Sequence, residues 1–346
     1  MARVTQQDVA KRVGVSRQAV AFALSPNPQF QSQLGEATRQ RIVDTAKQMR
    51  YVPNQAARRL IQNRAPRQTR RLDQVGLIYI PSDGQQDASI GSVCLLMLEG
   101  AEKTLAANDA SITFVRVAEP RDWDKVDRMT RSGLVDGWLL YGRITDDVLS
   151  HLRGFRLPTV IIGDHRCTRP VDSVNHDYEA VGRMAVEHFA GLGHRRIGLH
   201  AGSLHYVYQE MILAGYRAAV KELGLDDRDE LVWTSRRQHL LDWIRDPVLG
   251  PTALFIPERS LAADVNRSLA GAGISVPAKI SLLGYEINRS ADESTLARIH
   301  VSMAKVGERG ASRLLQLAKE EQKSPRQEWI APLPIIPGMS TAPPTD

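Results

Sequence analysis

The sequence predicts a small all-helical head followed by an α/β body of two doubly wound parallel-sheet lobes. Three observations predict it. A helix-turn-helix pattern occupies residues 5–24. Short apolar runs of strand length alternate with helical segments from residue 75 onward. The 346 residues, 42% hydrophobic and 24% charged, are too many for one ordinary domain and enough for a large core.

The head is read first. Val9, Ala10 and Val13 stand in the i, i+1, i+4 order that makes one apolar stripe on a helix. Gly14 stops that helix, since a residue without a Cβ takes the left-handed conformation cheaply. Val15 plugs the corner, Ser16 is placed to cap a second helix, and Val20 and Leu24 give that helix its inward face. Ser16, Arg17 and Gln18 are left on the outward side of its first turn. In a helix-turn-helix those positions meet base edges in the major groove. Arginine favours the two acceptors of guanine, and glutamine bonds adenine bidentately. An amphipathic helix pair from another kind of domain is the plainer alternative; the tight spacing Ala10-x3-Gly14-x5-Val20 weighs against it. A third amphipathic helix is predicted over 37–49.

Charge supports the same reading. Residues 1–71 carry fourteen Lys and Arg against three Asp and Glu, and the remainder carries 31 against 36 within a net charge of +6. A basic head on a mildly acidic body points to a polyanion partner for the head alone. A merely solvated charge run is the alternative, weakened because the charges surround the helix-turn-helix.

A polar, arginine-rich linker with Pro66 is predicted over 64–74. Beyond it, strands are predicted at 75–80, 112–117, 137–141 and 159–163, with helices at 93–107 and 146–152. After a helix at 177–192, a second series follows with strands at 196–201, 231–234, 252–256 and 280–284 and helices at 208–223 and 261–272. Such alternation implies parallel sheets covered by helices on both faces.

No apolar run approaches the roughly 18 residues a membrane helix needs, and the first residues lack a signal peptide's hydrophobic segment. A cytoplasmic protein with no membrane partner is expected. Cys94 and Cys167 are too few for a disulfide framework and lack a Cys-x-x-Cys partner, so no metal and no cofactor is expected. The chain has no P-loop, Gly-x-Ser-x-Gly, His-Glu-x-x-His or dinucleotide fingerprint. His165 and Cys167, close to Asp164, are the one arrangement that suggests a nucleophile with a base; nothing else supports catalysis, and the chain is not read as an enzyme.

The pattern Val-Thr-x-x-Asp-Val-Ala-x-x-x-Gly-Val-Ser runs from Val4 to Ser16, and Tyr-x-Pro-Asn-x-x-Ala-x-x-Leu runs from Tyr51 to Leu60. Further on stand Asp177-Tyr178-Glu179-Ala180-Val181-Gly182, Leu192-Gly193-His194-Arg195-Arg196-Ile197-Gly198, Ala214-Gly215-Tyr216 and Ile280-Ser281-Leu282-Leu283-Gly284-Tyr285. In these residues, and in their order, the chain resembles the lactose-repressor/galactose-repressor (LacI/GalR) transcription factors over nearly its whole length.

The resemblance implies a repressor that binds a palindromic double-stranded DNA operator as a homodimer. It implies a body of periplasmic-binding-protein type that the chain crosses three times, at 75–338, with an N-lobe of about 75–175 and 301–322 and a C-lobe of about 176–300 and 326–338. The head with its hinge helix (54–62) would span 1–63, and 339–346 would be a tail. Because the end Pro343-Pro344-Thr345-Asp346 forms no apolar heptad helix of the kind that joins dimers into tetramers in some members, a dimer is expected.

Arg17 and Gln18 are the expected base readers. Ser16 and Thr5 are expected at phosphates, Thr5 by resemblance, and Thr38, Arg39 and Tyr51 are expected at the DNA by resemblance. Phe22 either touches a thymine methyl or packs on neighbouring protein. The connection over 25–35 is about four residues longer than the family's usual loop. Asn54, Ala57 and Leu60 mark a hinge helix too short to be stable alone, with Leu60 as the wedge that kinks a base step in the minor groove; a flexible linker containing alanines is the alternative.

The small-molecule effector site implied by the family survives only in part. Its aspartate is Asp164 and its last acid is Glu286. Ile212 stands where the family has an arginine, and Pro257-Glu258 stands where it has Asn-Asp. Losing those donors disfavours a simple sugar, because a site that holds hydroxyls is sensitive to each unpaired group. Tyr206, Tyr208 and His205 either stack on a different, still carbohydrate-derived or partly aromatic ligand, or are plain surface residues. Two readings stay open: a regulator with a changed effector, or a DNA-binding regulator or architectural protein that has lost effector control.

Overall fold

The chain divides between Gln68 and Thr69 into two units. The computed structural model describes residues 4–25, 30, 32–49, 51, 72–81, 88–155, 157–234, 240–287, 295–320 and 324–345. The hinge segment, with Asn54, Ala57 and Leu60, lies outside them.

The first unit is built on α1 (Gln6–Val13), α2 (Arg17–Ala23) and α3 (Glu36–Gln48). Thr5 and Asp8 form a capping box at the start of α1: the Thr5 hydroxyl accepts from the Asp8 N–H and the Asp8 carboxylate accepts from the Thr5 N–H. Gly14 ends α1 at φ +76°, the left-handed turn that the sequence calls for. Ser16 caps α2, accepting from the Ala19 N–H at 3.1 Å. Val9, Ala10, Val13, Val20, Ala23, Ile42 and Ala46 are buried together. Leu24 was expected on the inward face with Val20; α2 ends one residue earlier, so Ala23 takes the buried place and Leu24 packs half-buried at its margin.

Among the described residues, the second unit holds two six-stranded sheets. The first contains β1 (Gln74–Ile80), β2 (Ser111–Arg116), β3 (Gly137–Gly142), β4 (Thr159–Ile162), β5 (Ser173–His176) and β11 (Gln327–Ile330), in the order β11-β5-β4-β3-β1-β2 and parallel throughout. The second contains β6 (Ile197–Gly202), β7 (Val232–Thr234), β8 (Ala253–Phe255), β9 (Ser281–Glu286), β10 (Ala297–His300) and β12 (Leu333–Ile336), in the order β12-β10-β9-β8-β6-β7. Only β12 runs antiparallel, against β10. Strands such as β1 and β9 are buried along nearly their whole length because helices cover both faces, which is why they read as unbroken apolar runs.

The described helices of this unit are α4 (Ala88–Ala106), α5 (Trp123–Arg131), α6 (Asp146–Arg153), α7 (Tyr178–Gly191), α8 (Val207–Glu222), α9 (Leu240–Arg245), α10 (Arg259–Gly271) and α11 (Met303–Leu317). The chain passes between lobes three times: from β5 to α7, from β10 to α11, and from β11 to β12. All three passages meet at His176. Its ring nitrogens lie 3.2 Å from the Ile330 carbonyl and 3.0 Å from the Ser302 carbonyl.

Two boundaries need correction. Residues 326–338 were assigned to the C-lobe, but β11 pairs with β5, Gln327 against Ser173 through Ile330 against His176, so the N-lobe runs on to Ile330. The segment expected as a tail lies back on the C-lobe. The Leu282 N–H donates to the Ser340 carbonyl, the Ala297 N–H donates to the Ser340 hydroxyl, and the Ala342 carbonyl lies 2.8 Å from His194 Nε2. His194 also reaches Thr252 Oγ1 and Ser281 Oγ, tying the starts of β8 and β9 to that segment.

Two other motif residues are explained by the crossing of α7 and α8. A Cβ on Gly182 would lie 2.1 Å from the Ile212 carbonyl oxygen, and one on Gly215 would lie 1.9 Å from that of Glu179. The Tyr216 hydroxyl donates to the Ile197 carbonyl at 2.6 Å and fixes α8 to β6. Because the obstacles are backbone atoms, Gly215→Ala is expected to lower the unfolding free energy by about 1–3 kcal/mol through overpacking. Denaturant titration of the full chain checks this; an unchanged midpoint would mean that the two helices part freely.

Candidate DNA-binding head and interlobe cleft

On the head, Ser16, Arg17 and Gln18 are exposed, the last two on the first turn of α2. Both hydroxyls expected at phosphates are engaged in caps. That of Ser16 sits at the positive end of α2, where backbone N–H groups favour an anion. That of Thr5 also donates to Asp8 at 2.7 Å, and those bonds hold the Asp8 carboxyl below its usual range, so a negative charge already occupies the start of α1. Phe22 stacks on Phe30, with ring centroids 5.3 Å apart and planes 10° apart. Of the two alternatives, packing on protein is the one the ring adopts, and its partner comes from the lengthened connection. Thr38 is half-buried, while Arg39 is paired with Glu36 at 2.7 Å on the exposed side of α3. Arg41 donates to the Val13 carbonyl and closes the end of α1. Tyr51 packs half-buried against the head core, its N–H bonded to the Ala46 carbonyl.

In the body, the C-terminal ends of the parallel strands, where open α/β sheets bind ligands, converge on Asp164. Asp164 follows β4 and lies deep, yet part of it still meets solvent. Its Oδ1 accepts from Asn175 Nδ2 at 2.8 Å, and its Oδ2 accepts from the Tyr208 N–H at 2.9 Å. Burial raises its pKa, although these two bonds and Arg166 oppose the rise. Arg166 pairs with Glu210 at 2.9 Å.

Rings line the same region. Tyr79 stacks on Tyr141 at 5.6 Å, Tyr178 tilts against Tyr208 at 5.6 Å, and Tyr206 stacks on Tyr208 at 5.7 Å. Burial raises the pKa of Tyr141, Tyr178, Tyr206, Tyr208 and Tyr285, so these phenols stay neutral donors and acceptors. Leu204, in the loop that carries Tyr206, holds φ +53°, a strained conformation for a residue with a Cβ.

Glu258 precedes α10, and its side chain is half exposed, with its pKa raised by burial. It lies 3.8 Å from Nδ1 of His200, which is buried against Trp233 and pushed down to about 4 by burial. The ring in that contact is therefore neutral at pH 7.

Two sequence expectations change here. Ile212 is not an open wall: it is fully buried in the core, one turn beyond Tyr208 on α8, where it supports that residue from below. Glu286 is buried beside Arg298 of the adjacent strand, 3.8 Å away, and is not brought to Asp164 by any described bond. Cys167 is no activated nucleophile. Burial pushes its thiol up to about 11, and its backbone N–H, not its sulfur, meets the His165 ring. Asn175, Tyr79, Tyr141, Tyr178, Tyr285, His200 and Trp233 were not singled out from the sequence. The signal was there, since most stand at or just beyond the C-terminal end of an apolar strand run.

Among the described residues, no group of three His, Cys, Asp or Glu side chains is placed to hold a metal ion. No helix among them is long and apolar enough to cross a membrane.

Residues 186–341 match the family model of the periplasmic binding protein-like domain. The HTH-type transcriptional repressor PurR of Actinobacillus pleuropneumoniae is 25% identical over 335 residues, covering 94% of each chain. A lac repressor dimer solved with operator and the anti-inducer ONPF superposes with a TM-score of 0.72 at 20% identity, covering 99% of this chain and 100% of that one. The regulator CelR, solved with cellobiose, superposes with a TM-score of 0.61 at 22% identity, covering 98% and 100%.

Because the folded-state pKa of His200 lies near 4, below the ordinary 6.5, the unfolded chain takes up a proton between those values that the folded chain refuses. Stability is therefore lost as pH falls from about 6.5 toward about 4. His165, His176, His188 and His194 are shifted the same way by burial. His200→Gln is expected to flatten, without abolishing, the fall in Tm between pH 7 and 4.5; parallel curves for the two proteins would contradict the assignment.

Proposed function

We propose that this chain, which belongs to the LacI/GalR family, is a sequence-specific DNA-binding transcriptional repressor that grips a palindromic operator as a homodimer and answers to a small molecule in its interlobe cleft. The observation that carries the reading is the first turn of α2. There Arg17 and Gln18 project from a capped, well-packed helix-turn-helix, and the chain's excess of basic residues is concentrated in the same unit. Two such helices related by a two-fold axis would reach successive major grooves. The operator-bound lac repressor dimer, similar over the whole chain, supports the dimer and the duplex as partners. A DNA partner places the protein's work in the cytoplasm, and its role is regulation without catalysis.

The effector reading rests on Asp164, Tyr206, Tyr208 and Glu258. Rings with a neutral hydroxyl and a deep carboxylate suit a ligand that has a flat apolar face and presents N–H or O–H donors. The sugar of the CelR complex supports a carbohydrate-derived ligand, and the stacked rings of Tyr206 and Tyr208 favour one that carries an apolar face. An architectural DNA binder without effector control would keep the head and fail to respond when metabolites are titrated into operator complexes.

Anisotropy titration of the full chain on an inverted-repeat duplex tests the central reading. Affinity is expected to fall steeply and linearly in log salt, because each neutralised phosphate releases counterions. Arg17→Ala is expected to cost about 1–3 kcal/mol and to relax preference at one half-site position. Arg39→Ala should weaken all duplexes alike. Salt-independent binding, or an unchanged base preference in Arg17→Ala, would count against the assignment.

A further inference from the structure

We propose that Asp164 is a helix cap supplied from the opposite lobe, and that with the Arg166–Glu210 pair it forms a clasp by which the protein holds its own cleft shut.

The first N–H groups of any helix lack partners inside it. At α8 the N-cap position is Tyr206, whose phenol is not among the side chains that cap well. Gln209 Oε1 turns back to accept from the His205 N–H at 3.0 Å and the Tyr206 N–H at 3.3 Å. The N–H of Tyr208, second residue of the helix, is satisfied by Asp164 Oδ2 at 2.9 Å, across the cleft from the end of β4. A carboxylate there also meets the positive end of the helix dipole. The cap is rigidly mounted: Asn175 Nδ2 donates to Asp164 Oδ1 at 2.8 Å, and Asn175 Oδ1 accepts from the His176 N–H at 2.8 Å.

Arg166, two residues farther along, supplies the second strut. Its guanidinium donates to Glu210 Oε1 at 2.9 Å and Oε2 at 3.4 Å, and to the His205 carbonyl at 3.4 Å. Glu210 stands on the same first turn of α8. One helix start is thus fastened to the other lobe by a charged cap and an ion pair, both made of protein groups alone. A ligand that takes Asp164 Oδ2 has to replace the helix N–H, so its binding works against the clasp.

The test uses the full chain with no DNA, so that its outcome and that of operator binding are separable; the inference rests on the two-lobed fold and not on the DNA-binding reading. Hydrogen exchange of the peptide around Tyr208 and small-angle scattering are compared for the wild type, Asp164→Ala, Asp164→Asn, Arg166→Glu, Glu210→Arg and the last two combined. Asp164→Ala should speed exchange at α8's first turn about tenfold, as expected when a charged acceptor is withdrawn, and should raise the radius of gyration. Asp164→Asn, which keeps an oxygen acceptor, should fall between the two. Arg166→Glu alone should expand the molecule, and the charge-reversed double variant should restore it. If Asp164→Ala does not fold, the charge-reversal series decides. Wild-type exchange and scattering in Asp164→Ala, or in Arg166→Glu, would overturn the clasp.

Discussion

The two lobes are joined three times along one edge, and the joints are gathered at the His176 imidazole. It ends β5, and its two ring nitrogens address the Ser302 and Ile330 carbonyls of the other two passages. Burial pushes its pKa down, so the ring is neutral at pH 7 and donates fully through one nitrogen at a time. Lobes tied in this way can rotate about the joint but cannot drift apart. Motion is therefore delivered to the facing strand ends and the start of α8, which is the geometry of hinge closure around a cleft. The site is where it is because the hinge is where it is.

What fills that cleft is decided by charge and shape. Six of the chain's eight tyrosines, Tyr79, Tyr141, Tyr178, Tyr206, Tyr208 and Tyr285, lie around Asp164. Rings contribute large contact area at small entropic cost, while their hydroxyls keep orientation specific. The core beneath them is continuous: Ile212, Tyr216, Leu199 and Phe255 belong to the same buried cluster as Tyr178 and Tyr285. A side chain at the cleft is thus held by packing that extends through the C-lobe, and a change in one wall is felt in the crossing of α7 and α8. Glu258 and the neutral His200 extend the cleft wall on the far side of Tyr208, with Trp233 behind them.

Much of this was legible in the sequence, for identifiable reasons. Val9, Gly14, Ser16 and Val20 declare a helix-turn-helix because their spacing is local and each does one physical task. The strands β1, β3, β4, β6, β8 and β9 are visible as apolar runs because both faces are covered, and the half-buried edge strands β2 and β7 are legible beside them. Gly182, Gly215 and His194 read as motif residues, and the structure gives their reasons in close helix approach and in a three-way hydrogen-bond tie. The short strands β5, β10, β11 and β12 were not predicted, since four-residue segments become strands only through the partners they pair with, some of them far along the chain, as Gln327 is from Ser173. That is also why β11 was assigned to the wrong lobe. Ile212 and Glu286 were misplaced for a related reason: an aligned position predicts a neighbourhood, whereas core packing and a neighbouring Arg298 decide where a side chain ends up.

On the proposed function, the head reads a two-fold symmetric DNA sequence on behalf of a hinged sensor. A map of the chromosomal sites occupied by the full-length protein tests it most directly. A small set of sites sharing one inverted-repeat motif is expected, with half-sites about one helical turn apart, centre to centre. Occupancy that follows DNA content without a shared symmetric motif would contradict it and leave an architectural DNA binder in its place.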